Sequence, residues 1–249
     1  MKIDYIAAEV RENIGIITLN NPQTLNSINE KMLGELSWQV SEFEKNEQVK
    51  VMVIKGIEKS FAAGIDIKEL AANLGNAQDI MRNMQKHFDT LRNARKPIIA
   101  AISGFALGIG CEIALSCDIV LASDSARFGL PELSIGLLPC FGGCQMLVER
   151  IGKAKAMDMI LTGRAISAEE AESAGLVSRV VSEISMSEEY TKIARRIAAL
   201  PQDTVAVAKK IIKHSEQTTL ENLLALNCIE SGTFKNTLLN FARKKQSAS

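Results

Sequence analysis

The sequence predicts an α/β protein with a mostly parallel sheet, extended at its C-terminal end by a helical region. Short apolar strands alternate with helical segments along the first two thirds of the chain, the pattern of βαβ units. Small-residue loops stand where two of those strands pass into helices. From residue 167 onward helical spacing takes over.

In chain order, "IDYIAAEV" and "IGIITL" read as strands joined by the turn "RENIG", and "NNPQTLN" reads as a loop. Across residues 29–45, Met32, Leu33, Leu36, Val40 and Phe43 recur at helical spacing. "VKVMVIKG" is a buried strand, and "SFAAGIDIKEL" is a loop entering a helix, with Asp66 and Glu69 at capping-box spacing. Residues 77–94 form a helix and "KPIIAAIS" a second apolar strand. "GFALGIG" turns into a short helix, and "DIVLAS" is a strand again. Ser167 caps the next helix, with Glu170 three residues on. Residues 187–200, 202–215 and 218–245 also read as helices, which divides the chain into a core, 1–195, and a helical region, 196–249.

Composition narrows the function classes. The 249 residues are 47% hydrophobic and 23% charged, ordinary for a globular protein, and 29 basic residues balance 29 acidic ones. That balance argues against a nucleic-acid or acidic-membrane partner, and 4% aromatics argue against base-stacking platforms. The five cysteines include no CxxC pair and only two histidines accompany them, so no closed zinc site is expected. Buried thiols in a reducing compartment are the simplest reading; Cys140 and Cys144 leave a metal or redox bridge open. "MKIDYIAAEVRENIGIITL" is not a signal peptide, and no uncharged apolar stretch reaches 18 residues, so a cytoplasmic protein without a membrane span is expected.

The glycine turns do not fit nucleotide motifs. A GxGxxG through Gly108 and Gly110 fails at Ile113, and neither a P-loop nor a GxSxG elbow occurs. His87 and His214 lie in helical contexts and read as surface or edge residues, which leaves no nucleophile–base pair. What remains is geometric. Two strand-to-helix loops, Ala62–Gly64 before Ile65 and Gly108–Gly110 around Ile109, each offer an unpartnered amide at the positive end of a helix. Two such amides could meet on one oxygen, or the loops could be ordinary strand-to-helix junctions.

Glu112 falls in the first turn after the second loop, and Glu132 follows Pro131 at a helix start. Each alone is compatible with a routine acidic residue at a helix N-terminus. Together, in apolar sequence beside the same loop, they could supply one carboxylic acid and one carboxylate, since desolvation raises carboxyl pKa values and like-charge proximity splits them.

"SFAAGIDIKEL", "KPIIAAISGFALGIGCEIALSCDIVLAS", "ARFGLPELSIGLLP" and "AMDMILTGRAISAEEAESAGLVSRVV" resemble the enoyl-CoA hydratase/isomerase (crotonase) family, from about residue 5 to 215. The resemblance implies a spiral of ββα units, a C-terminal helical region that builds trimers or dimers of trimers, and an acyl-CoA substrate. It places the oxyanion hole at the amides of Ile65 and Ile109 and the acid and base at Glu112 and Glu132. Thr24, Leu25, Ala63, Asp66, Ile67 and Lys68 would lie along coenzyme A, which is part of the substrate; no metal or redox cofactor is implied. Members that only shift a double bond commonly lack the carboxylate at the Glu112 position, so both glutamates favour hydration of a 2-enoyl-CoA. Isomerisation or another acyl-CoA lyase reaction is the alternative, and a non-catalytic CoA- or RNA-binding relative the alternative outside catalysis.

The chain departs from the family pattern at three places. Ile109 replaces a common glycine and narrows the acyl slot. Cys140 replaces the glycine whose amide helps hold the water. The tail "SGTFKNTLLNFARKKQSAS" lacks a D-x-x-E-G stretch. Lys209, Lys210 and Lys213, or Arg243, Lys244 and Lys245, either reach a CoA phosphate across a subunit boundary or form a solvated helix face.

Overall fold

The structure is a computed structural model that describes residues 5–57 and 59–212, together with Leu239 and Arg243. Its elements are β1 (Ile6–Arg11), β2 (Ile14–Leu19), α1 (Glu30–Lys45), β3 (Val51–Lys55), β4 (Ser60–Ala62), α2 (Ile67–Ala72) and α3 (Ala77–Arg92). There follow β5 (Ile98–Ile102), β6 (Phe105–Leu107), α4 (Ile109–Ser116), β7 (Ile119–Ser123), β8 (Arg127–Gly129) and α5 (Gly143–Ile151). The last are α6 (Lys153–Thr162), β9 (Ile166–Ser167), α7 (Ala168–Ala174), β10 (Arg179–Val181), α8 (Met186–Ala198) and α9 (Gln202–Ile212).

The strands form a six-stranded sheet, β1-β2-β3-β5-β7-β10, and a four-stranded one, β4-β6-β8-β9. Each of the pairs β3–β4, β5–β6 and β7–β8 gives one strand to each sheet before the chain enters helices. This is the ββα spiral expected from the resemblance. All neighbours pair in parallel except β1 with β2 and β8 with β9.

Side-chain chemistry accounts for the elements. Glu12 (φ 48°) and Asn13 (φ 68°) turn the first hairpin in the left-handed region, where Asn is among the better-tolerated residues. Asn29 caps α1 by accepting from Met32 N at 2.8 Å; Asp66 caps α2 by accepting from Lys68 N and Glu69 N; Ser167 caps α7 by accepting from Glu170 N. Buried β3 and β5 are runs of Val, Ile, Met and Ala, as strands covered on both faces require. One face of the large sheet packs on α1, α3 and α4 in the main core. The other places Ile14, Ile16, Val51, Val53, Ile99, Ala101 and Leu121 against Met186, Tyr190, Ile193 and Ala194 of α8.

Two local readings are corrected. "SFAAG" and "GFALG", read as loops, contain the strands β4 and β6, and with β8 they build the small sheet. Three-residue strands are too short to show an alternating period. Pro131-Glu132 opens a single 3₁₀ turn, Glu132–Ile135, which Gly136 ends at φ 75°. The division at 195/196 falls within α8. The helix expected over 218–245 lies outside the described residues, except for Leu239 and Arg243, which are helical.

Candidate active site at the ends of the small sheet

β4, β6 and β8 run in parallel, so the segments leaving their C-terminal ends emerge side by side. These segments carry Ile65, then Ile109 and Glu112, then Glu132. Open parallel sheets commonly place ligands at such strand ends.

Glycines set the close approach. A Cβ on Gly110 would lie 2.4 Å from Ala62 O, and one on Gly108 would lie 3.6 Å from Gly64 Cα. The two loops therefore touch. Gly64 (φ 112°) and Gly108 (φ 52°) both occupy backbone that L residues rarely adopt. Each presents the amide that follows it. Gly64 O accepts from Ile28 N at 2.8 Å, and Gly108 O accepts from Glu112 N at 3.0 Å. Because a trans peptide holds its C=O and N–H on opposite sides, anchoring these carbonyls turns the N–H groups of Ile65 and Ile109 the other way. Among the described residues neither amide donates to a protein acceptor.

Glu112 is 1% exposed and Glu132 8%. Glu112 Oε1 accepts from Phe141 N and Gly143 N, both at 2.9 Å, and two amide donors favour a carboxylate. A Cβ on Gly143 would come within 2.8 Å of that oxygen, so only glycine lets the backbone draw so near. Glu132 Oε1 lies over the Gly108 loop, 2.8 Å from where a Gly108 Cβ would stand. The thiol of Cys111 registers both acids. Its pKa is pushed well up, first by burial and then by the charges of Glu132 and Glu112, against a Gly129 backbone hydrogen bond that acts to lower it. The two glutamates therefore share one buried region.

The residues expected along coenzyme A fall in two neighbouring loops. Thr24 and Lys68 are exposed, and Leu25 (φ 53°) is 39% exposed while its carbonyl accepts from Ala63 N at 3.1 Å. Asp66 N donates to Ile28 O, and Ile67 is half-buried against the main core. One loop system thus joins Thr24, Leu25, Ala63 and Asp66 beside Ile65. Cys140 is buried in the loop before α5, where its Sγ contacts Leu138 O at 3.0 Å. Cys111, Cys117, Cys140 and Cys144 are all thiols, and among the described residues no group of three or more His, Cys, Asp or Glu could hold a metal. His87 ties α3 to α1 through Ser37 Oγ at 3.0 Å; His214 lies outside the described residues. Lys209 serves neither reading given to its cluster, because its side chain is buried on Asp118 at 2.7 Å.

Sequence reasoning missed three contributors. The donors Phe141 and Gly143 had a faint signal in "PCFGGC". Gln85, whose Nε2 donates to Cys140 O at 3.1 Å, had none, since 55 positions separate the partners.

Comparison with known proteins gives a consistent result. A family model described as Enoyl-CoA hydratase/isomerase matches residues 9–246. The chain is 43% identical over 235 residues to a probable enoyl-CoA hydratase of Mycobacterium leprae, covering 94% of this chain and 91% of that one. It is 35% identical over 256 residues to a short-chain-enoyl-CoA hydratase of Clostridium acetobutylicum, covering 99% and 97%. The crystal structure of an enoyl-CoA hydratase from Bacillus anthracis superposes with a TM-score of 0.82 at 31% identity, covering 97% of each chain. The fold, the strand-end segments and a family match across nearly the whole sequence agree: the chain belongs to the enoyl-CoA hydratase/isomerase family.

Proposed function

We propose that the protein is an enoyl-CoA hydratase, adding water reversibly across a trans-2-enoyl-CoA to give a 3-hydroxyacyl-CoA. The observation that carries this reading is the pair of buried glutamates beside two loops whose Ile65 and Ile109 amides donate to no protein acceptor among the described residues. The names of the relatives support it. The β-carbon of an enoyl thioester accepts a nucleophile only when its carbonyl oxygen can take up charge. The N–H groups of Ile65 and Ile109 are suited to that oxygen, and losing one such donor typically costs about 10²–10³ in rate. Glu112, fixed through Oε1, takes a proton from water as the oxygen bonds to the β-carbon. Glu132 enters protonated and gives its proton to the α-carbon. The addition is redox-neutral, and the proposal uses no metal or redox cofactor. The amide of Cys140 is a further candidate to hold the water.

Incubation with crotonyl-CoA, followed by loss of the enoyl-thioester absorbance, tests the reading. Glu112→Gln and Glu132→Gln should each cut turnover by roughly 10²–10⁴ while CoA binding persists. Wild-type turnover in either variant would remove that residue's role. If 3-enoyl-CoA is converted to 2-enoyl-CoA and crotonyl-CoA is not hydrated, the isomerase reading replaces this one.

We also propose a homo-oligomer, trimer or dimer of trimers, built through the helices from residue 196. Leu200, Val207 and Ile212 are 53%, 58% and 82% exposed in the single chain, apolar side chains that a neighbouring copy would cover. Light scattering on the purified protein should report at least three chains. A cytoplasmic location fits the reduced thiols. Among the described residues no helix is long and apolar enough to cross a membrane.

A further inference from the structure

We propose that Gln85 is a positioning residue for Glu112, acting through the one peptide unit that joins Cys140 to Phe141. The inference rests on the hydratase reading for its activity test and on geometry for its structural one. The carbonyl of this peptide accepts from Gln85 Nε2 at 3.1 Å, and its N–H donates to Glu112 Oε1 at 2.9 Å. The two groups point to opposite sides of one plane. Gln85 therefore holds the far edge of the plane whose near edge holds Glu112.

The surroundings give this link its weight. Cys140 and Phe141 are each 3% exposed, and in such low-dielectric surroundings hydrogen bonds linked in series polarise one another. A donor on the carbonyl makes the N–H of the same peptide a better donor to the carboxylate. The following residues, Gly142 (φ 94°) and Gly143, leave the backbone soft just where it must be still. Rotation of the 140–141 peptide would turn a carbonyl oxygen toward the carboxylate and replace attraction by repulsion. α3 opposes that rotation at two points three residues apart on one face: Gln85 grips the backbone, and the Phe88 ring packs on the Phe141 ring with centroids 5.1 Å apart. Among the described residues, the Cys111 thiol on the same helix feels the charges of both Glu112 and Glu132, which puts these three titratable groups in one buried region. From α5, Arg150 is directed to the carbonyls of Leu115 and Cys117 at the other end of α4. Gln85 is uncharged, so it can aim Glu112 without adding a charge to the site.

Two variants test this. Gln85→Leu removes the donor, and in crotonyl-CoA hydration it should lower kcat about tenfold, the worth of one hydrogen bond, with KM changed less than about twofold. It should also move the pH-rate limb that depends on the Glu112 carboxylate upward, because a poorer amide donor stabilises the anion less. Gln85→Glu keeps the shape but can donate only when protonated. Its activity relative to wild type at the same pH should approach one at low pH and fall progressively as the new carboxyl ionises. A packing role alone predicts a pH-independent loss in both variants, and that result overturns the proposal. So does a Gln85→Leu enzyme with wild-type kcat and an unmoved limb. If the wild type hydrates no enoyl-CoA, the functional reading fails by itself, and amide hydrogen exchange decides on Gln85: Phe141 and Gly143 should exchange faster in Gln85→Leu, and unchanged protection overturns the inference.

Discussion

Glycine at 143 and glycine at 110 look alike in the sequence, and the structure gives them different tasks. A methyl group at 143 would meet the Glu112 side chain, Oε1 at 2.8 Å and Cγ at 2.9 Å. The backbone there is helical and accepts Ala, so the collision falls on a movable carboxyl. Gly143→Ala should therefore cost about 10²-fold in turnover with little change in melting temperature. A methyl group at 110 would meet Ala62 O at 2.4 Å, a backbone atom in a strand. Gly110→Ala should lower stability by roughly 1–3 kcal/mol and be seen in thermal unfolding before activity is considered. Reversed outcomes would mean that the loops carry different loads from those assigned here. At this scale the sequence was legible for residues whose chemistry is costly in context. Two carboxylates in apolar surroundings announce themselves, as do glycines before a helix. Gln85 did not, because an amide side chain on an amphipathic helix is ordinary and its importance lies in a loop 55 residues away.

At the scale of elements, the large sheet and the long helices were legible because Val, Ile and Leu recur at their periods over many residues. The small sheet was not: β4, β6 and β8 have three residues each, and parallel pairing is a long-range property. Besides the shared apolar core, Asn26 ties that sheet to the large one through hydrogen bonds. It is fully buried at φ 56°, and its Nδ2 donates to Leu19 O at the end of β2 and to Ser60 O and Phe61 O in β4, at 3.0 to 3.1 Å. Its Oδ1 accepts from Asn21 N at 2.6 Å. Alanine at this position would strip the Leu19 and Phe61 carbonyls and the Asn21 amide of this partner, while Ser60 O keeps the Ile57 amide, and would place a side chain without local hydrogen bonds in the left-handed region. Asn26→Ala should destabilise by about 2–4 kcal/mol in denaturant unfolding. The same change should weaken CoA binding, since Ser60 and Ala63 both donate to the Leu25 carbonyl next door. Asn26→Gly, which removes the strain but restores none of the hydrogen bonds, should recover only a small part of the loss.

Over the whole molecule, the question is what joins the helical end to the catalytic body. α9 reaches the core through Lys209, whose ammonium group lies 2.7 Å from Asp118 and donates to Lys96 O at 2.8 Å. Asp118 also accepts from Ile98 N at the start of β5, and the Lys96 ammonium group holds the carbonyls of Phe43 and Asn46 at the end of α1. One buried cation thus meets a junction of α1, β5 and the segment before β7. The lysine pattern in α9 did not reveal this, since a cluster of lysines reads equally well as a wet face or a phosphate site, and burial is decided by what the helix lands on. Removing one partner of a buried pair typically costs about 3–5 kcal/mol, because the other charge stays in a poor solvent. Here α9 can avoid part of that cost by lifting away. Lys209→Met should therefore speed hydrogen exchange through α9 more than through β3 and β5, with global stability falling by less than the full amount. Adding Asp118→Asn should restore part of the protection, since the stranded charge is then gone. If Lys209→Met leaves exchange in α9 unchanged, the ion pair does not hold the helix, and the apolar side chains of α9 must carry its docking alone.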